Sequence, residues 1–254
     1  MIKEKEWSPV DYSVYVMNGE EKIKCYIQGV IVIGLVLWIF YQSITIILIC
    51  SPLTYIYVKQ QGKKRCRERK WELTLQFREG VQALVAALSA GYSIENAFIQ
   101  AIKDLKLLYM KDTMIIREFE YIVYQIQMNM PVENALEEFA LRSMVDDIKS
   151  LSEVFATAKR TGGDLIKILR STSRMIGDKI EVTREITTMM SSKKFESNIM
   201  GIIPIGIILY MEISSPGFLN PLYHNIMGGL VMTVSLIIYI ISFTLMNRIL
   251  AIEI

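Results

Sequence analysis

CYIQGVIVIGLVLWIFYQSITIILICSPLTYIYV, the run Cys25–Val58, contains no charged residue. The hydrocarbon core of a bilayer is about 30 Å thick and is crossed by about 20 helical residues rising about 1.5 Å each. The run is therefore too long for one span and suits a tight hairpin of two short helices. Its most polar point is Tyr41-Gln42-Ser43, which places the spans at about 25–41 and 43–58.

A second run has the same character. From Asn198 to Asn247 the only charged residue is Glu212. Breaks at Ser214-Ser215-Pro216-Gly217 and Asn220-Pro221 divide it into spans at about 198–213 and 226–247, joined by a loop over 214–225. Pro204 lies within the third span, where membrane helices tolerate a kink. Segregation of this kind explains how 254 residues can be 52% hydrophobic and still 21% charged, with a net charge of only +2.

Orientation follows from the basic residues. Lys63, Lys64, Arg65, Arg67 and Arg69 follow the second span, and Lys193 and Lys194 precede the third, whereas 214–225 has no Lys or Arg. The positive-inside rule then puts 59–197 in the cytoplasm and 214–225 outside, with both termini cytoplasmic. Charges of both signs in residues 1–24 speak against a cleavable leader there. Asn18-Gly19-Glu20-Glu21 reads either as the start of a helix entering the first span or as the turn of a small hairpin between 12–16 and 22–26. The helix is preferred because Glu20 and Glu21 suit its first turn. Three cysteines without close pairing read as free thiols on the cytoplasmic side.

The charged block between the runs is helical by period. Phe77, Val81, Leu84, Val85 and Leu88 share one helix face; Ile115, Phe119, Ile122 and Ile126 share another. Val145, Ile148, Leu151, Phe155 and Ala158 mark a third stripe, and Leu165 through Met190 steps by three and four in a helix long enough to run into the third span. Nothing in the block alternates with the period of a strand.

The breaks between these helices share a form. Gly91-Tyr92-Ser93 precedes Ile94, Pro131 precedes Val132, and Thr161-Gly162-Gly163-Asp164 precedes Leu165. Glycine accepts the left-handed conformation that ends a helix, Ser or Asp caps the next first turn, and Pro suits position N1. Glu95 and Glu133 then face the positive end of the next helix dipole. The block is expected to hold about six helices arranged as helix–turn–helix pairs. The whole chain reads as an all-α polytopic membrane protein with four transmembrane helices and a cytoplasmic six-helix domain, segmented at 1–24, 25–58, 59–197 and 198–254.

The search for chemistry excludes more than it finds. Gly62-Lys63-Lys64 has neither the spacing nor the hydroxyl of a phosphate loop, and Asp164 would repel an anion at Gly162-Gly163. The single histidine, His224, sits in the outer loop with no ligand cluster around it, so neither a metal centre nor a Ser–His triad can be assembled. Pairs such as Glu137-Glu138 and Asp146-Asp147 read as solvated helix surface. The basic run 59–70 is explained by topology and anionic lipid, with too few aromatics for nucleic acid. No catalytic residue, cofactor or metal is expected. Glu212, beside a span, supports an alternative reading as a small membrane transporter or membrane enzyme.

Four segments together carry a resemblance. FREGVQALVAALSAGYSIENAF (77–98), NMPVENALEEFA (129–140), FATAKRTGGDLIKIL (155–169) and PGFLNPLYHNIMGGL (216–230) resemble, in order and spacing, the type II secretion F-domain family. The likeness is greatest to the platform proteins of tight-adherence (Tad, Flp-type) pili, and it is strong over about 70–254. It implies a platform at the base of a filament machine, engaging a hexameric secretion ATPase through the cytoplasmic domain and pilin subunits through the spans. Relatives often carry two copies of the domain, so one copy implies a partner: the protein itself or a second F-domain platform protein. The family brings no catalytic residues. What carries over is the turns, with Tyr92 as a candidate ATPase contact.

Overall fold

The computed structural model describes residues 11–12, 19–42, 53–109, 113–223 and 225–250. Among them the secondary structure is helical throughout: α1 (Gly19–Tyr41), α2 (Leu53–Ser89), α3 (Ile94–Tyr109), α4 (Met114–Gln127), α5 (Val132–Ser143), α6 (Asp146–Thr161), α7 (Leu165–Ser214), α8 (Asn220–Tyr223) and α9 (Ile226–Leu250). Two compact units divide the chain. The first takes 1–16 and 63–182, and the second takes 17–62 and 183–254.

Three described helices are long and apolar enough to cross a membrane: Gly19–Tyr41, Leu165–Ser214 and Met227–Leu250. Most of the expected second span, 43–52, lies outside the described residues; 53–58 form the start of α2. The first spanning helix begins at Gly19, with Glu20 and Glu21 in its first turn. Those carboxylates complement the helix dipole, so the helix starts upstream of the apolar run.

The first unit is a chain of helical hairpins around one apolar core. Leu73, Phe77, Val81 and Leu84 of α2 are buried with Phe98 and Leu105 of α3 and Ile115, Phe119 and Ile122 of α4. Phe139 of α5, Leu151 and Phe155 of α6, and Leu169, Ile176 and Ile180 of α7 complete it. Each side chain of this size contributes about 1.5–3 kcal/mol when fully buried, against about 0–1 kcal/mol for an exposed ion pair. Apolar periodicity, not surface charge, therefore holds the unit together. Ring pairs lock its centre: Phe98 meets Phe119 edge-on at 5.1 Å, and Phe77 meets Phe139 at 6.2 Å.

At Gly80 the Phe119 ring of α4 lies against the backbone of α2. A Cβ there would lie 2.8 Å from Cζ of Phe119. The glycine is a steric requirement at this position, since α2 is regular through it.

The second unit is apolar outside as well as in, as a lipid-facing bundle must be. Leu37, Ile39 and Phe40 of α1 pack with Met232 and Leu236 of α9, while Ile31, Ile202 and Ile241 are exposed. Tyr41 Oη lies 2.8 Å from Thr233 Oγ1, and Tyr223 donates to the carbonyl of Ile39 at 3.1 Å. Tyr239 donates to the carbonyl of Gly201 at 2.8 Å, within one turn of Pro204. A side-chain donor beside the proline break is what a low-dielectric surrounding requires.

Candidate functional site: three joints at one end of the first unit

Successive helices of the first unit run antiparallel, and named pairs fix this. Glu118 of α4 meets Arg142 of α5 at 2.6 Å, Glu133 of α5 meets Lys159 of α6 at 2.6 Å, and Asp147 of α6 meets Lys179 of α7 at 3.0 Å. Alternation gathers every second connection at the same end. The joints after α2, α4 and α6 lie at one end, opposite the end that holds residues 63 and 182. The Glu133–Lys159 pair bridges the second and third joints. Arg170 Nη2, donating to Ser89 Oγ at 3.5 Å, bridges the third and first.

Each joint is built locally. At the first, Gly91 has φ 88° and Ser93 Oγ accepts from the amide of Asn96 at 3.4 Å. At the third, Gly162 has φ 73°, the Gly163 amide donates to the carbonyl of Ala158 at 2.8 Å, and Asp164 Oδ1 accepts from the amide of Lys167 at 3.0 Å. Thr161 turns its hydroxyl back onto the carbonyl of Thr157 at 3.0 Å. The second joint departs from the sequence expectation. Pro131 precedes the helix as its N-cap instead of occupying N1, and its carbonyl accepts from the amides of Asn134 and Ala135. The left-handed position there is filled by Asn129, with φ 65°. Asparagine is the commonest substitute for glycine in that conformation, so the signal was present in the sequence but unread.

Glu133 shows how these ends are tuned. The hydrogen bond from Lys159 holds its carboxyl below the usual carboxylate range. Its folded value is depressed, so the pair adds stability above about pH 4.5 and loses it as pH falls through the lowered value. Both side chains are solvated, which keeps the contribution small.

The rim formed by the joints is apolar as well as polar. Tyr92 is 49% exposed, Met128 63% and Met130 38%. Replacing Gly91 by Val is expected to cost about 1–2 kcal/mol through the backbone alone. Open space surrounds the position of a Cβ at Gly91, so packing adds nothing to the penalty. Chemical denaturation checks this, and Gly91→Asn should lose least because asparagine tolerates the conformation.

At the opposite end lies a buried ionic cluster that sequence reasoning missed. Arg142 pairs with Glu118 and with Glu138, and Tyr12 donates to Glu118 Oε1 at 2.9 Å. The Tyr12 amide reaches the carbonyl of Arg142 at 3.2 Å, and Cys66 Sγ donates to the Tyr12 carbonyl at 3.4 Å. Burial, then the neighbouring Glu118 charge, pushes the Tyr12 hydroxyl far above its ordinary value, so it keeps the proton that it donates to Glu118. Burial disfavours the Arg142 charge, but the hydrogen bonds and charges of Glu118 and Glu138 more than offset this. The missed signal was Glu118 itself, which falls on the apolar stripe of Ile115, Phe119 and Ile122.

The basic residues divide. Lys63, Lys64, Lys193 and Lys194 are exposed, with Lys64 3.9 Å from Glu68 and Lys193 3.1 Å from Glu196. Arg65 and Arg69 are half-buried, and the Arg69 guanidinium lies 4.6 Å from the centre of the Tyr12 ring. Arg67 is exposed on the same helix. Among the described residues no group of His, Cys, Asp and Glu is arranged to hold a metal.

Comparison with known proteins gives one match. The sequence model of a family described as type II secretion system (T2SS), protein F, matches residues 81–212, more than half of the chain. No curated protein and no solved structure matches.

Proposed function

We propose a function from one premise: the chain belongs to the type II secretion system protein F family. It is a membrane platform protein of a secretion or pilus machine, held in the inner membrane by its spanning helices. Our reading of its work is that the first unit engages a hexameric secretion ATPase and the second contacts pilin subunits. The platform thus couples ATPase motion to filament assembly, and Tad-type pili are the system its motifs favour. A second copy of the chain or a second F-domain platform protein completes the assembly.

The observation that carries the ATPase contact is the gathering of three joints at one end. That end presents Tyr92, Met128 and Met130. Aromatic and methionine side chains with a polar surround are the composition of protein contact sites.

Four spans with cytoplasmic termini are supported by Tyr12. It packs in the same unit as Cys66, and α1 lies between them in the chain. One crossing would put Tyr12 and Cys66 on opposite sides of the bilayer, so their hydrogen bond favours an even number of crossings. That is the reason to propose a second span over 43–58.

The test uses the full chain in detergent with the purified ATPase of the same organism. The double variant Tyr92→Ala, Met128→Ser should bind at least tenfold more weakly, about 1.4 kcal/mol, with no change in thermal stability. Undiminished binding by that variant would overturn the assignment of the rim.

A further inference from the structure

A cavity of about 340 Å³ opens in the first unit between α2 and α7. It shares Arg170 with the bridge between the third and first joints but none of the residues of the buried cluster. Arg78 and Gln82 line it from α2; Arg170, Ser173 and Arg174 line it from α7, with Asp178 and Glu181 toward one side. The arginines on α7 are four residues apart, which stacks them on one helix face, and Arg78 approaches from the facing helix.

Two details mark this as more than a solvated charge cluster. The first is Gly177, where an added Cβ would lie 3.0 Å from Arg78 Nε and 3.2 Å from its Nη2. Its lack of a side chain is what lets the Arg78 guanidinium lie flat against the α7 backbone. The second is the hydrogen-bonding state of that guanidinium. Arg78 Nε is shut off from solvent and has no acceptor among the described residues. Its ion pair is with the adjacent Glu79 at 3.6 Å, made through Nη1. Arg170 reaches only Ser89, at the limit of a hydrogen bond, and Arg174 has no ion pair among the described residues although Asp178 follows at i+4. The guanidinium groups of Arg78, Arg170 and Arg174 thus converge on an open cavity.

We propose that this cavity binds a phosphoryl group whose far end carries hydroxyl or ammonium donors. The planar guanidinium fork matches the tetrahedral oxygens of a phosphate in a two-point contact, which makes arginine the residue of choice for it. Ser173 and Gln82 add neutral donors. Asp178 and Glu181 would repel a bare polyanion, but they accept hydrogen bonds from hydroxyls or an ammonium at the other end. The volume lies at the low end of ligand cavities, suited to a small phosphate ester. Such a group has two sources: a soluble phosphate ester or the headgroup of a phospholipid.

The experiment titrates the full chain, first in a neutral detergent with glycerol 3-phosphate, phosphoethanolamine and inorganic phosphate. It then measures headgroup contact by phosphorus NMR in nanodiscs of phosphatidylglycerol or phosphatidylethanolamine. Saturable binding of a soluble ester more tightly than inorganic phosphate supports the proposal and assigns a soluble source. Saturable contact in nanodiscs alone supports it and assigns the lipid. In either case Arg174→Gln, a change at an exposed side chain, should weaken binding at least tenfold. Gly177→Ala, which displaces Arg78, should weaken it severalfold, and Arg160→Gln at the end of α6 should leave it unchanged. Three outcomes overturn the proposal: no saturable binding in any arm, equal binding by Arg174→Gln, or ATPase binding that depends on Arg174 without phosphate binding. The last hands the surface to an acidic protein segment.

Discussion

Replacing Arg142 by Met is expected to destabilise the first unit by about 3–5 kcal/mol, the cost of leaving a buried charge without its partner. Glu118 keeps only the Tyr12 hydroxyl as a donor from the cluster, and its side chain is 4% exposed. The loss should appear as a hundredfold to few-thousandfold drop in amide exchange protection across α4 and α5, roughly tenfold for each 1.4 kcal/mol. Adding Glu118→Leu to Arg142→Met should recover much of the deficit, because the buried charge is then gone. A deficit unchanged by the second substitution would show that packing, not charge, accounts for it.

The second large effect concerns Gly80 of α2, which the Phe119 ring of α4 covers. Phe119→Ala should cost about 3–5 kcal/mol, the transfer term plus the cavity left among Phe98, Ile115 and Val81. Gly80→Ala should cost about 1–3 kcal/mol by overpacking, since its Cβ would press on the Phe119 ring. The two share one space, so their effects should not add. In the double variant the Gly80→Ala penalty should largely vanish, and the double-mutant cycle measured by denaturation reads this directly. Additive costs would place the Gly80 constraint elsewhere than on Phe119.

These effects also separate what the sequence made legible from what it hid. The stripes through Phe77, Ile115 and Val145 were readable because burial on one face of a helix imposes a period on neighbouring residues. The glycine joints at 91 and 162 were readable because a positive φ restricts the residue type. Met144, which ends α5 at φ 48°, carries no such signature, because methionine has no preference for that conformation. Gly80 and Gly177 were equally silent, for their reason is the approach of a second helix. Tyr12 was hidden more deeply still, since its partner Glu118 lies 106 residues away. In the candidate site the joints could be read one by one. Their convergence could not, because it depends on three antiparallel pairings acting together.

The hairpin order has a kinetic meaning. Contacts between consecutive helices close short loops at small entropic cost, so α2 to α6 can assemble quickly as they leave the ribosome. Two closures fall outside that pattern. Ile176 and Ile180 seal the core only when α7 has been made, and Tyr12, synthesised before all of these helices, needs α4 and α5 in place before its hydroxyl has a partner. The earliest described residues of the chain are thus among the last to lock, and the moment they do so reports that the unit is complete.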